Sequence, residues 1–170
     1  MTSPAPHPIL NLDQAEFLAH PRPAPGALAE KFQSSHCRVS GRLGARQLGY
    51  NLTAVPPGKR AFPYHSHRVN EEMFFVLEGT GEVRLGEATY PLRAGDIVAC
   101  PAGGPETAHQ IINTGSVELR YLAVSTERYP EICDYPDSGK FGTYDDMATG
   151  TPFRHLSRTE RGLDYWDGEA

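Results

Sequence analysis

His65-Ser-His67 sets two imidazoles two positions apart. In a β-strand the side-chain period is two, so both rings would face the same way and could share one ion. Imidazole nitrogen suits zinc, copper, iron or nickel. Glu72 follows five residues after His67, at the head of the apolar run Met73–Leu77. That odd offset requires a turn or bulge within Arg68-Val-Asn70 if Glu72 is to reach the same face. Glu71 is the competing carboxylate, and Glu72 is preferred because it stands seven residues before Gly79. A second segment, Gly95 to Gly103, reads as turn, strand, turn and leads to His109, with Pro101 and Gly103 forming a bend that aims His109 inward. Three neutral imidazoles and one carboxylate form a mixed nitrogen and oxygen set. In octahedral geometry it leaves two positions open, the property that separates a catalytic site from a closed structural one.

Each of these residues also has a plainer reading. His65, His67 and His109 could simply hydrogen-bond within a polar interior. His7, His20, His36 and His155 lie outside both segments and read as surface or packing residues. Cys100 has no basic neighbour in sequence and reads as a small buried filler. Tyr50, Phe62, Tyr64, Phe74 and Gln110 are candidates to line a substrate pocket, with core packing the alternative for each. Asn113 reads as serving the turn after its strand. No Ser-His-Asp ordering, Gly-rich phosphate loop or His-Glu-x-x-His helix occurs, which leaves hydrolase and nucleotide-binding readings without support.

The elements that would carry these side chains are short strands. Gln47–Val55, Glu72–Leu77, Glu82–Leu85, Ala88–Leu92, Ile97–Cys100, His109–Asn113 and Arg120–Ser125 are rich in Val, Ile, Leu, Tyr and Phe, and Gly, Pro and Asp punctuate them. Gly86-Glu87 suits a two-residue hairpin; Gly79-Thr-Gly81 and Arg93–Asp96 are further turns. The expected class is all-β, a sandwich or barrel. Glu72–Leu77 is apolar on both alternating sets, so both of its faces need cover, from a second sheet, the terminal arms or a second subunit. Three divisions follow: an arm over 1–45, a barrel core over 46–126, and a segment over 127–170 packing on the barrel. Prolines at 4, 6, 8, 21, 23 and 25 break the arm, and Asp13 with Glu16 resembles a capping box for a short helix over Gln14–Ala19. After Ser125 the chain reads as irregular, through Asp134–Lys140 and Gly142–Thr151. Tyr135, Phe141, Phe153, Tyr165 and Trp166 are too many aromatics for a free tail, so this segment is expected to wrap back over the barrel.

With 170 residues, 39% hydrophobic and 22% charged, the composition is that of a globular chain. A formal charge of −5 with scattered basic residues argues against a nucleic-acid partner. The longest apolar run, Met73–Leu77, is too short to span a bilayer. Met1–Pro8 lacks the pattern of a secretory leader, which makes the cytoplasm the expected location. Cys37, Cys100 and Cys133 are widely separated and fit reduced thiols. Asn51-Leu-Thr53 matches a glycosylation triplet by chance.

Taken together, the two segments resemble the cupin superfamily. Its first motif is matched by Gly58…His65-x-His67-x4-Glu72-x6-Gly79, with one extra residue after the first glycine. Its second is matched by Gly95-x5-Pro101-x-Gly103…His109-x3-Asn113, where Gly104–Ala108 replaces two residues and should change the mouth of the barrel. A subgroup of single-domain cupins shares a similar loop and a stretch similar to Asp134–Lys140; its members are often labelled sugar-phosphate isomerases by analogy of fold. The resemblance implies a double-stranded β-helix, or jelly-roll, barrel with irregular N- and C-terminal arms, commonly a homodimer. It implies one divalent metal ion (Zn, Fe, Mn or Ni) held inside by His65, His67, Glu72 and His109. The leading expectation is a metal-dependent enzyme acting on a small oxygen-rich molecule, a dioxygenase or a sugar(-phosphate) isomerase. The rival is a non-catalytic module that binds a small sugar or organic acid through its metal.

Overall fold

The computed structural model describes residues 7–145 and 152–169. Most of Met1–Pro8 and part of Gly142–Thr151 therefore lie outside the described residues. Thirteen strands occur among the described residues: β1 (Leu18–Ala19), β2 (Ser35–Arg38), β3 (Leu48–Val55), β4 (Ser66–His67), β5 (Glu72–Glu78), β6 (Thr80–Leu85), β7 (Ala88–Arg93), β8 (Ile97–Cys100), β9 (His109–Ile112), β10 (Leu119–Thr126), β11 (Glu131–Tyr135), β12 (Lys140–Asp145) and β13 (Phe153–Arg158). A single α-helical turn, α1 (Ser40–Leu43), separates β2 from β3. No described helix is long and apolar enough to cross a membrane.

The strands form three antiparallel sheets with orders β1-β2-β3-β10-β5-β8, β13-β12-β11-β4 and β7-β6-β9. All seven strands expected in the barrel region occur within one or two residues of their predicted ends, because each alternates or runs apolar over four or more positions. Gly86 has φ +54° in the β6–β7 hairpin, as its two-residue turn requires. Gly79 does something different from a hairpin turn. It is the corner at which β5 leaves the six-stranded sheet and β6 enters the three-stranded one. There φ is +81°, and a Cβ would lie 2.6 Å from the carbonyl oxygen of Glu118.

Both faces of β5 are covered, as its composition demands. Phe74 and Val76 point into the main core with Val55, Val83, Val98, Ile111, Leu119 and Tyr121. Leu77, on the other face, packs against a smaller cluster of Cys37, Val39 and Leu52, sealed by Leu10, Ala15 and Phe17 of the N-terminal arm. The cover from this chain is thus a second sheet on one side and the arm on the other.

Two expectations about the arms are corrected. Gln14–Ala19 is not a helix: Leu12–Gln14 is a single 3-10 turn, its start capped by the Asn11 side chain, and Leu18–Ala19 is extended along β2. One isolated helical turn fixes several residues for a single hydrogen bond, whereas the extended path lets Ala15 and Phe17 reach the outer cluster. The C-terminal segment is not irregular. Asp134–Lys140, read as a loop, is the hairpin between β11 and β12, and β13 adds to that sheet's edge. Of its aromatics, Tyr135 and Phe141 are partly buried, while Tyr165 and Trp166 are 83% and 70% exposed and meet each other edge to face.

Candidate metal centre

Three separate ladders bring the expected ligands together. His65 and His109 face each other across an antiparallel bridge, with His109 N–H donating to the His65 carbonyl at 2.8 Å and His65 N–H to the His109 carbonyl at 3.2 Å. His67 pairs with Cys133 across β4 and β11. Glu72 lies between Cys100 of β8 and Ser125 of β10. Glu72, Phe74 and Val76 share a face by strand parity, so Glu72 points toward the interior that Phe74 and Val76 fill. Glu71 is exposed on the other side.

One donor atom from each of His65, His67 and Glu72 lies within 4.8 Å of the others, a grouping that could hold a metal ion. His109 stands outside that grouping: it is 3% exposed, and without an ion its Nε2 donates to Oε2 of Glu72 at 2.8 Å, a hydrogen that a cation at Nε2 would displace. The longer loop at Gly104–Ala108 does not displace His109. Gly103 N–H donates to the His67 carbonyl, residues 105–107 form a 3-10 turn, and the Ala108 carbonyl accepts from Gly86 N–H before His109 enters β9.

The imidazoles are prepared for a cation by what stands behind them. Nδ1 of His65 lies 2.8 Å from the Pro63 carbonyl, which can only accept, so Nδ1 carries the hydrogen and Nε2 keeps its lone pair. Burial and then the neighbouring His109 lower the His65 pKa to about 4, so the ring is neutral at neutral pH. Nε2 of His67 is 3.4 Å from Oε2 of Glu72, buried and without a hydrogen-bond partner. Burial would lower its pKa, but the acceptors Cys133, Glu131 and Glu72 around the ring outweigh that and raise it to about 12, so without an ion the ring holds a second proton that a cation at Nε2 would displace. Burial likewise opposes ionisation of Glu72, yet His109 and His67 hold its carboxyl well below the ordinary range. A buried nitrogen without a partner, facing an ionised carboxylate and the neutral His65 ring, is the donor chemistry a divalent ion satisfies.

His65, His67 and Glu72 form the floor of a cavity of about 300 Å³. None of the five residues expected to line it does so. Tyr64 and Gln110 adjoin His65 and His109 in sequence, and the alternation of a strand sends them the other way: Tyr64 hydroxyl donates to the Gly86 carbonyl beneath the Arg84 guanidinium, and Gln110 Nε2 donates to the Phe62 carbonyl. Phe74 lies one layer below Glu72, between His109 and Tyr121. Tyr50 packs on the outer cluster, and Phe62 contacts His20 and His36 beside the arm. The walls come instead from the C-terminal sheet, through Glu131, Cys133, Tyr135, Tyr144 and Arg154, joined by Asn70. Their signal was the alternation Glu131-x-Cys133-x-Tyr135, which puts all three on one face of a strand.

Residues 51–125 match the model of the Cupin domain. This span is a cupin domain. A solved cupin-superfamily structure from Silicibacter pomeroyi, described as a sugar phosphate isomerase, is 27% identical with a TM-score of 0.75, covering 94% of this chain and 98% of that one. The oxalate-binding protein of Thermotoga maritima is 33% identical over 70 residues, 41% of this chain and 54% of its own. Auxin-binding protein 1 of Arabidopsis thaliana is 30% identical over 114 residues, 61% of this chain and 55% of its own. The chain spans about half the length of the curated relatives it matches. The matched span contains His65, His67, Glu72 and His109 but ends before the C-terminal walls, so the cupin match speaks for the floor of the cavity and not for its lining.

Proposed function

We propose that this cupin-domain protein is a metal-dependent enzyme of the isomerase type acting on a small oxygen-rich molecule such as a sugar or organic acid. The observation that carries the reading is the pair His65 and His67, each with Nδ1 engaged from behind and Nε2 left for a ligand, set with Glu72 on the floor of an open cavity. His65, His67, Glu72 and His109 would hold a divalent ion, which when bound polarises substrate oxygens as a Lewis acid.

The chain's own proton-handling group in the cavity is Tyr135. Its ring stacks on His65 with centroids 6.1 Å apart, and its hydroxyl is 2.8 Å from that of Tyr144. Burial, and then the hydrogen bond with Tyr144, push its pKa well above the usual phenol range, so it serves as a donor and not as a base. Arg154, at the rim, offers a cation to an acidic substituent. The Silicibacter pomeroyi protein's description as a sugar phosphate isomerase supports this direction.

Native mass spectrometry with elemental analysis of gently purified protein should find one divalent ion per chain, lost in His67→Ala. Aldose–ketose exchange of small sugar phosphates, followed by NMR with zinc-, manganese- or iron-loaded protein, should show turnover that falls about 100-fold in Tyr135→Phe. Oxygen consumption on adding substrate to iron-loaded protein would instead assign an oxygenase. The names of the Thermotoga and Arabidopsis relatives favour a second reading, a module that binds its ligand without changing it. A tight ligand recovered chemically intact, with no turnover in either assay, would decide for that reading.

A further inference from the structure

Glu131 is 4% exposed and has no part in either cupin motif, yet it is the most heavily hydrogen-bonded carboxylate near the site. Oε1 accepts from the backbone N–H groups of Val69 at 3.1 Å and Ile132 at 2.7 Å. Oε2 accepts from Asn70 N–H at 3.0 Å and from the Asn70 side-chain amide. Val69 and Asn70 lie in the segment that must turn to carry the chain from His67 to Glu72. The same Oε2 is 3.4 Å from Nδ1 of His67, whose other neighbour on that side is Sγ of Cys133 at 3.3 Å.

Two ligand chemistries compete for this cluster, since His67, Glu131 and Cys133 could themselves hold a cation. The donors around Glu131 decide against that. A carboxylate offers about four lone-pair sites, and four N–H groups already occupy those of Glu131. What remains is negative charge facing Nδ1. Cys133 can donate or accept, so the thiol alone does not choose which nitrogen of His67 is protonated. An anionic oxygen can only accept, and a bare Nδ1 lone pair pointed at it would be repelled.

We infer that Glu131 is a positioning residue for the metal centre: it fixes His67 with its hydrogen on Nδ1 and its lone pair on Nε2, and clamps the Val69-Asn70 turn that brings Glu72 beside it. This rests on the proposed metal site. It identifies the group that sets the His67 ligand atom and makes the four-residue spacing between His67 and Glu72 workable. A negative carboxylate set behind the far nitrogen of a ligating histidine raises the ring's basicity and fixes its orientation, and the loss of such a partner typically costs about 10- to 100-fold in metal affinity.

The test uses zinc and the full chain. Zinc affinity is measured by chelator competition for the wild type, His67→Ala and Glu131→Gln, and the imidazole nitrogens of zinc-loaded wild type and Cys133→Ala are read by long-range 1H–15N NMR. Glu131→Gln is expected to bind zinc about 10- to 100-fold more weakly. In the wild type His67 should show zinc on Nε2 and the hydrogen on Nδ1, and Cys133→Ala should keep that arrangement. Wild-type affinity in Glu131→Gln, zinc on Nδ1 of His67, or a changed tautomer in Cys133→Ala would each overturn the role of Glu131 while leaving the metal site in place. Should Glu131→Gln fail to fold, the wild-type and Cys133→Ala spectra still decide. Failure of the metal reading itself looks different: wild type and His67→Ala would then bind zinc equally weakly.

Discussion

Behind His65 lies a carbonyl oxygen, and behind His67 lie a carboxylate and a thiol. Two residues of one type, two positions apart, are driven in opposite directions: burial and His109 carry His65 toward neutrality against the pull of that carbonyl, while the acceptors around His67 make it retain its proton. The motif spacing made the four ligand candidates visible, but these backing groups come from residues 63, 131 and 133, whose approach depends on tertiary pairing. Asn113 shows the same division of labour. Its place at the end of the second motif suggested a turn function, and the structure shows how that function is met: the fully buried side-chain amide donates to the carbonyls of Val55 at 2.7 Å and Val117 at 2.8 Å and accepts from Gly115 N–H. Asn113→Ala leaves the Val55 and Val117 carbonyls and the Gly115 N–H without these partners, which should cost about 2 to 4 kcal/mol. Urea unfolding should show that loss as a lower midpoint with an unchanged slope.

At the scale of elements, β5 is the strand on which site and core meet, since Glu72 at one end faces the ligands and Gly79 at the other turns the chain between sheets. Gly79→Ala would put a Cβ 2.6 Å from a backbone oxygen at φ +81°. The expected destabilisation is more than about 1 kcal/mol, read as a fall in thermal midpoint. The arm that covers the outer face of β5 carries its own pH dependence. His36, hydrogen-bonded to Ser34 and Thr53, faces the rings of His20 and Phe62, with Arg38 on its own strand. Burial, then His20 and Arg38, lower its pKa from 6.5 to about 4. Between those values the unfolded chain binds the extra proton, so this contribution to stability is complete above pH 6.5 and declines as pH falls toward 4. Thermal midpoints between pH 7 and 4.5 should therefore decrease, with a shallower slope in His36→Gln. The barrel strands were legible because alternation in four or more residues marks them. β1, β2, β4, β11, β12 and β13 were not, being two to six residues long and largely polar or half-exposed. They are strands because a partner strand is there, as β4 is because Cys133 and Asp134 lie opposite it.

Across the whole molecule, the cavity floor and its walls belong to different parts of the chain. The floor comes from His65, His67 and Glu72, where the first cupin motif lies, and most of the walls come from β11, β12 and β13, with the N-terminal arm closing the opposite face of the barrel. This division explains why the candidate ligands could be named from sequence while all five candidate pocket residues were misplaced. Motif spacing reports on one side of a cavity only. It also carries a prediction for the intact protein. A cation at the floor would tie β4, β5 and β9 together across all three sheets, and none of these ligand geometries exists in the unfolded chain. Binding to the folded state alone stabilises by about 2.7 kcal/mol at a free concentration 100 times Kd. For a domain of this size each kcal/mol moves the thermal midpoint by about 2 to 4 °C. Adding zinc or manganese to metal-stripped protein should therefore raise the midpoint by roughly 5 to 10 °C at that ratio. The rise should continue with the logarithm of metal concentration and disappear in the double variant His65→Ala, His67→Ala. An equal rise in the double variant would place the stabilising cation elsewhere and remove the thermodynamic support for a metal centre on the barrel floor.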